Sequence, residues 1–212
     1  MPPLGEATTA GGGFAILPLD YTMIRAGQPG MLPEFDGYLT VDGGADSIPL
    51  QIHSSRPLLD HQYRSERTQS REALLAIFAA KGVTLDKSRA LFYFFPLDCV
   101  YSTATEVRAK GVTIEVWTVD AQGFHLCPDC RVAYPADDGL ADVTISDYSS
   151  RSSGAAVASV PPGEVMAVMR DTKTRLPVSV LRPINARAGY QHYVFLFPAS
   201  KAQLAMLPAN AQ

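Results

Sequence analysis

The chain has 212 residues, 47% of them hydrophobic and 18% charged, with a formal net charge of −3. Such a composition belongs to a globular chain rather than a disordered one, and it offers no basic stripe to release phosphate counterions, which excludes an electrostatic nucleic-acid binder. No run of about 18 apolar residues is present, so no membrane-spanning helix and no membrane partner are expected.

Residues 1–13 are small, Gly-rich and Pro-bearing, and read as a flexible leader. MPPLGEATTAGGGFAIL has neither a basic n-region nor a continuous apolar core, so it does not read as a secretory signal. The expected location is the cytoplasm, or outside the cell as an effector delivered without a cleaved signal. From Phe14 to His53 the runs FAIL, YTMIR, GYLTV and IPLQI predict short strands, punctuated by AGQPG and VDGGADS.

QSREALLAIFAAKG predicts a helix, with Leu74, Leu75, Ile77 and Phe78 on one side and Gly82 as its C-cap. RALFYFFP follows, too continuously apolar for a strand with one wet face, and reads as a central strand. Asp98 then caps an expected second helix, with Val100, Ala104 and Val107 on one face and Gly111 closing it. VTIEVWTV alternates with period two and predicts a strand in which Trp117 belongs to the core.

The second half reads as ADVTI, EVMAV, PVSVL and HYVFLF strands, with SDYSSRSSGAAVAS as a polar loop and SKAQLAML as a closing turn or short helix. FYFFPLDCVYSTA and VFLFPASKAQLA share a strand–Pro–cap–helix pattern, a common connector. The expected fold class is α+β: a single domain over 14–207, with a mostly antiparallel twisted sheet, two or three helices, and a tail at 208–212.

FHLCPDCRV carries the most pointed chemistry. Cys127 and Cys130, two of the chain's three cysteines, have the C-x-x-C bite that zinc sites use, and His125 stands beside them. Cys99, His53, His61 or His192 would complete a ligand set. A redox pair fits the spacing, although no thioredoxin-like βαβ pattern leads into it. A hairpin of two strand ends around a Pro-Asp turn, with the sulfurs facing each other or inward, fits equally.

Around this motif, ATEVRAKGVTIEVWTVDAQGFHLCPDCR resembles the cytidine-deaminase arrangement of a helix glutamate, a strand and P-C-x-x-C. That resemblance implies a zinc held by Cys127 and Cys130 beside Glu106. Ala104 and Leu126 stand where the pattern has a metal ligand and a proline.

A second constellation is spread along the chain: Arg25 in YTMIRAGQP, Tyr101-Ser102-Thr103, and Glu164 in PPGEVMAVM. In order and surroundings it resembles the ADP-ribosyltransferase fold, including the small RES-type toxins. The resemblance implies an enzyme that consumes NAD, by transfer to a small-molecule or protein substrate or by hydrolysis. Arg25 would hold the dinucleotide phosphates, Tyr101 and Ser102 would shape the nicotinamide pocket, and Glu164 would stabilise the oxocarbenium that forms as nicotinamide leaves. Pro162 occupies the place where the family has a second acidic or amide side chain.

The plainer readings are a surface strand for Arg25, helix-facing polar groups for Ser102 and Thr103, and a strand start after the PPG turn for Glu164. Asp137-Asp138 reads as a turn rather than a divalent-metal site. No G-x-S-x-G, G-x-G-x-x-G or Walker A pattern occurs. Two function classes therefore stand: an NAD-consuming enzyme, and a non-catalytic module that binds a protein partner and uses CPDC structurally.

Overall fold

The computed structural model describes residues 7–8, 38–42, 48–53, 71–97, 109–136, 154–180 and 183–212. All but the first pair belong to one compact unit, residues 38–55 and 66–212. The strands are β1 (Tyr38–Val41), β2 (Leu50–His53), β3 (Ala90–Pro96), β4 (Val112–Asp120), β5 (Gly123–Leu126), β6 (Arg131–Ala133), β7 (Ala155–Val160), β8 (Gly163–Asp171), β9 (Pro177–Val180), β10 (Ile184–Ala186) and β11 (Gln191–Leu196). The helices are α1 (Arg71–Ala79) and α2 (Lys201–Ala205).

These strands form two sheets. One has six strands in the order β1-β2-β11-β3-β7-β6; the other has β10-β8-β4-β5, with β9 also paired to β8. Alternation explains the stacking. Along β3, Ala90, Phe92 and Phe94 enter a core shared with Ile114 and Val116 of β4, Val165, Ala167 and Met169 of β8, and Val194 and Leu196 of β11. Leu91 and Tyr93 point the other way, onto Leu50, Ile52 and the α1 residues Ile77 and Phe78. The β3 strand is thus buried on both faces, which is why its run is apolar without a break.

On the far side of the five-stranded sheet, Trp117, Met166 and Val168 are covered by Leu207 and Ala211 of the C-terminal segment. Each large apolar side chain so buried contributes about 1.5–3 kcal/mol. Trp117 belongs to this core, as expected from its strand.

The fold is sheet-rich, with two short helices among the described residues. The five-stranded sheet is antiparallel throughout, but the single mostly antiparallel sheet expected from sequence is replaced by two sheets. The larger is mixed, since β11 runs parallel to both β2 and β3.

The helix α1 ends as expected. Gly82 takes φ 69°, and the Val83 amide returns to the Phe78 carbonyl at 3.0 Å, closing the helix with a left-handed cap. Ile77 and Phe78 are buried, whereas Leu75 is exposed. The short α2 begins with a capping box between Ser200 and Gln203. The second helix expected after Asp98 falls largely outside the described residues, as does Asp137-Asp138.

The polar loop expected over SDYSSRSSGAAVAS is corrected at its end. Residues 155–160 are β7, a strand with Ala155, Ala156, Val157, Ala158 and Val160 all buried. Small residues are needed there because β7 lies beside the aromatic β3, with Phe92 opposite Val157 and Tyr93 opposite Ala156. At Gly154 a Cβ would stand 2.2 Å from the Tyr93 ring. Large side chains on one strand are matched by small ones on its neighbour, so β7 shows no large-residue alternation to read.

Candidate functional site

Two of the short connections that carry the chain between the sheets hold or adjoin a residue singled out from sequence. Residues 127–130 lead from β5 in the five-stranded sheet to β6 in the six-stranded one; residues 161–162 lead back from β7 to β8.

In the first connection Cys127 and Cys130 form a disulfide, with their Cα atoms 5.4 Å apart. The expected hairpin is corrected in one respect. The sulfurs do meet across a Pro-Asp turn, but the flanking strands do not pair with each other: β5 pairs with β4 and β6 with β7. The two-residue hairpin lies one turn earlier, between β4 and β5 at Ala121-Gln122. Cys127 continues the β4 ladder through its amide to the Val116 carbonyl, 2.9 Å, and its side chain is buried in the core between the sheets. Cys130 is half-buried against that core. Arg131 donates through Nη1 to the Pro128 carbonyl at 2.8 Å and to the Cys130 carbonyl at 3.2 Å, clamping the turn.

His125 is exposed and hydrogen-bonded to Asp120, Nε2 to Oδ1 2.9 Å. The Gln122 backbone amide and the His125 ring hold the Asp120 carboxyl below its ordinary value. The trio expected to hold zinc does not fit the metal in this state. Disulfide sulfurs are not thiolates, and His125 is already engaged. Among the described residues, no group of three or more His, Cys, Asp or Glu side chains is gathered as a metal cage.

Glu164 follows the second connection. Its neighbour Val165 enters the core between the sheets, so by strand alternation Glu164 faces the opposite side, with Met166 and Val168. It pairs in register with Asn185 of β10, and it is exposed. The other described carboxylates on long strands are engaged. Glu115 binds Arg170 at 2.7 Å, Asp120 binds His125, and Asp171 accepts from the Thr174 amide at 2.7 Å and the Lys173 amide at 3.0 Å. Among the described residues Glu164 has no such partner. Arg25, Tyr101, Ser102 and Thr103, its expected companions, lie outside the described residues, as do Glu106, Cys99 and His61.

Sequence reading missed two buried polar features. Gln51, His192 and Phe92 form a row across β2, β11 and β3. His192 is 0% exposed, stacks on Phe92 with centroids 4.5 Å apart, and accepts the Arg187 amide at Nε2, 3.0 Å. It is therefore held within the fold and not offered to a metal. Gln51 is 1% exposed, and among the described residues its Oε1 has no hydrogen-bond partner. Such an unsatisfied oxygen costs about 1–3 kcal/mol.

The second feature joins Arg170 to Glu115 and to the Ala211 carbonyl at 2.8 Å, which ties the C-terminal segment onto the sheet. A charge inside each of the apolar runs VTIEVW and EVMAVMR was its only sequence signal.

Comparison of the chain with protein-family models, with curated proteins and with solved structures found no match. Among the described residues, no helix is long and apolar enough to cross a membrane.

Proposed function

We propose that the chain is an NAD-consuming enzyme, similar to ADP-ribosyltransferases or NAD glycohydrolases and of the kind used as bacterial effectors. The observation that supports this reading is Glu164: an exposed strand carboxylate without an ion-pair or hydrogen-bond partner among the described residues. A carboxylate that must face a developing cation has to be both rigid and uncommitted. Ladder pairing of β8 with β4 and β10 supplies the rigidity.

In the reaction, the bond between the ribose anomeric carbon and nicotinamide breaks, its electron pair leaves with nicotinamide, and water or a substrate nucleophile closes on the oxocarbenium. Glu164 stabilises that cation and orients the ribose hydroxyls. On this reading the phosphates fall to Arg25 and the nicotinamide to Tyr101 and Ser102, all three outside the described residues.

The test is nicotinamide release from NAD by the wild type and by Glu164→Gln, with a thermal melt of each. The variant should lose at least about a hundredfold in rate, with its melting temperature unchanged. Equal turnover in both chains, or none in the wild type, overturns the reading.

One observation favours a second reading. The cystine sits at a connection between the sheets, as expected for a non-catalytic module that presents its loops to a protein partner and uses CPDC structurally. In that case Glu164→Gln is silent. A zinc enzyme built on His125, Cys127 and Cys130 would first require the cystine reduced and His125 withdrawn from Asp120.

A further inference from the structure

We propose that the Cys127–Cys130 disulfide is a site of thiol–disulfide exchange in the folded chain, entered at Cys130 by small thiols and reduced by dithiols. Three features of the connection lead there, and none of them involves NAD.

The first is access. The two sulfurs are bonded but unequally placed: Cys127 is 7% exposed and packed among the residues between the sheets, whereas Cys130 is half-buried at the edge of that core. Between them Pro128 and Asp129 are exposed. An incoming thiolate must approach one sulfur along the line of the disulfide, and Cys130 is the one it can reach. Expelling Cys127 into apolar surroundings slows the step, but blocked approach to Cys127 prevents the alternative altogether, so the direction is set by access.

The second is the state left behind. Once reduced, Cys127 is a small apolar side chain in a core that already accommodates its volume. The β5 strand and its backbone link to Val116 hold it there. The third is the size of the ring. Closing so short a loop removes little chain entropy from the unfolded state, and the strands on either side are secured by ladders of their own to β4 and β7. Opening the clasp is therefore a local event. Arg131, bonded to the Pro128 and Cys130 carbonyls, keeps the turn in place and puts a positive charge where an anionic thiolate arrives.

The chemistry balances. A thiolate attacks the Cys130 sulfur, forming a mixed disulfide. The bond to Cys127 breaks, and its electron pair stays on the Cys127 sulfur, which takes a proton from water. With a dithiol, the second thiol attacks the reagent's own sulfur in that mixed disulfide, releasing Cys130 as a thiolate and the reagent as a cyclic disulfide. The chain gains two electrons and the dithiol loses two.

The experiment treats the folded chain with glutathione or with dithiothreitol under native conditions, follows circular dichroism, quenches in acid and maps the cysteines by peptide mass spectrometry. Expected are a linked Cys127–Cys130 peptide at the start, a glutathione adduct on Cys130, and an unchanged spectrum. After dithiothreitol, iodoacetamide should modify Cys130 at least about tenfold faster than Cys127. Treated instead with glutathione disulfide, whose other half leaves as the glutathione thiolate, Cys127→Ala should take the adduct at Cys130, while Cys130→Ala should take none at Cys127 until denatured. A pair isolated as free thiols, a cystine that yields only on unfolding, or equal labelling of both sulfurs in the wild type overturns the proposal. The wild-type arm decides even if a variant fails to fold.

Discussion

Two of the connections between the sheets, at 127–130 and 161–162, solve one problem by opposite means. Each takes the chain from one hydrogen-bonded ladder to another within a few residues. At 127–130 the turn is restrained covalently, by a cystine. At 161–162 it is restrained conformationally, by two prolines, after which Gly163 makes the turn at φ 125°. Both devices act by removing conformations from the unfolded chain. They differ in reversibility: a thiol can open the first, whereas nothing in the cell's chemistry opens the second. It is the permanent connection that precedes Glu164, the residue whose proposed role demands a fixed position.

The largest test of this contrast is Glu164→Gln, expected to remove at least about a hundredfold of NAD turnover, or about 3 kcal/mol of transition-state stabilisation, with no change in thermal stability. A parallel loss of stability would instead make Glu164 part of the connection's architecture.

Next comes Gly163→Ala. Among the described residues a Cβ there meets nothing within 4 Å, so the cost is that of forcing an L-residue into a conformation reserved for glycine, about 2–3 kcal/mol. It is read from chemical denaturation. A neutral result would mean that the prolines alone set the second connection.

Reducing the cystine, or replacing Cys130 by alanine, should cost about 2 kcal/mol, the entropy of so small a ring. Calorimetry of oxidised and reduced chains measures it, and global unfolding on reduction would show the clasp to be essential rather than local.

The smallest effect belongs to Asp120 in the β4–β5 hairpin. Its carboxyl is held below the ordinary 3.8, first by the Gln122 amide and then by His125. A group depressed in the folded state stabilises above its unfolded value, and that contribution is lost as pH falls through the folded one. The wild type should therefore lose stability relative to Asp120→Asn only below about pH 4. A difference that survived full protonation of the carboxyl would overturn this assignment. Because both groups are exposed, the shift in melting temperature should be slight.

Much of the local structure was legible. The unbroken apolar run of β3 announced burial on both faces, Gly82 announced the end of α1, and SKAQLAML read as a closing turn or short helix. EVMAV and VTIEVWTV were recognisable as strands because each side of their alternation carries large residues. By contrast, β7 was not, since its alanines and Gly154 are shaped by Tyr93 and Phe92 on a neighbour more than 50 residues away in sequence. At the candidate site, the turn around CPDC was foreseen, but not that it joins two sheets. Glu164 was chosen by resemblance, and the face it takes followed from strand alternation only once Val165 was seen to enter the core.

By itself, then, the sequence determined the elements whose signals are local: hydrophobic period, caps and turn residues, each set by a residue and its near neighbours. Tertiary structure alone decided which strands share a sheet, that β2, β11 and β3 run parallel, that Cys127 is buried and Cys130 within reach, and that Gln51 and His192 lie inside the fold. The physical reason is that period two assigns a side chain to a face but not to a partner. Which face becomes core depends on the second sheet that stacks against it, and that contact is made by residues far away in the chain.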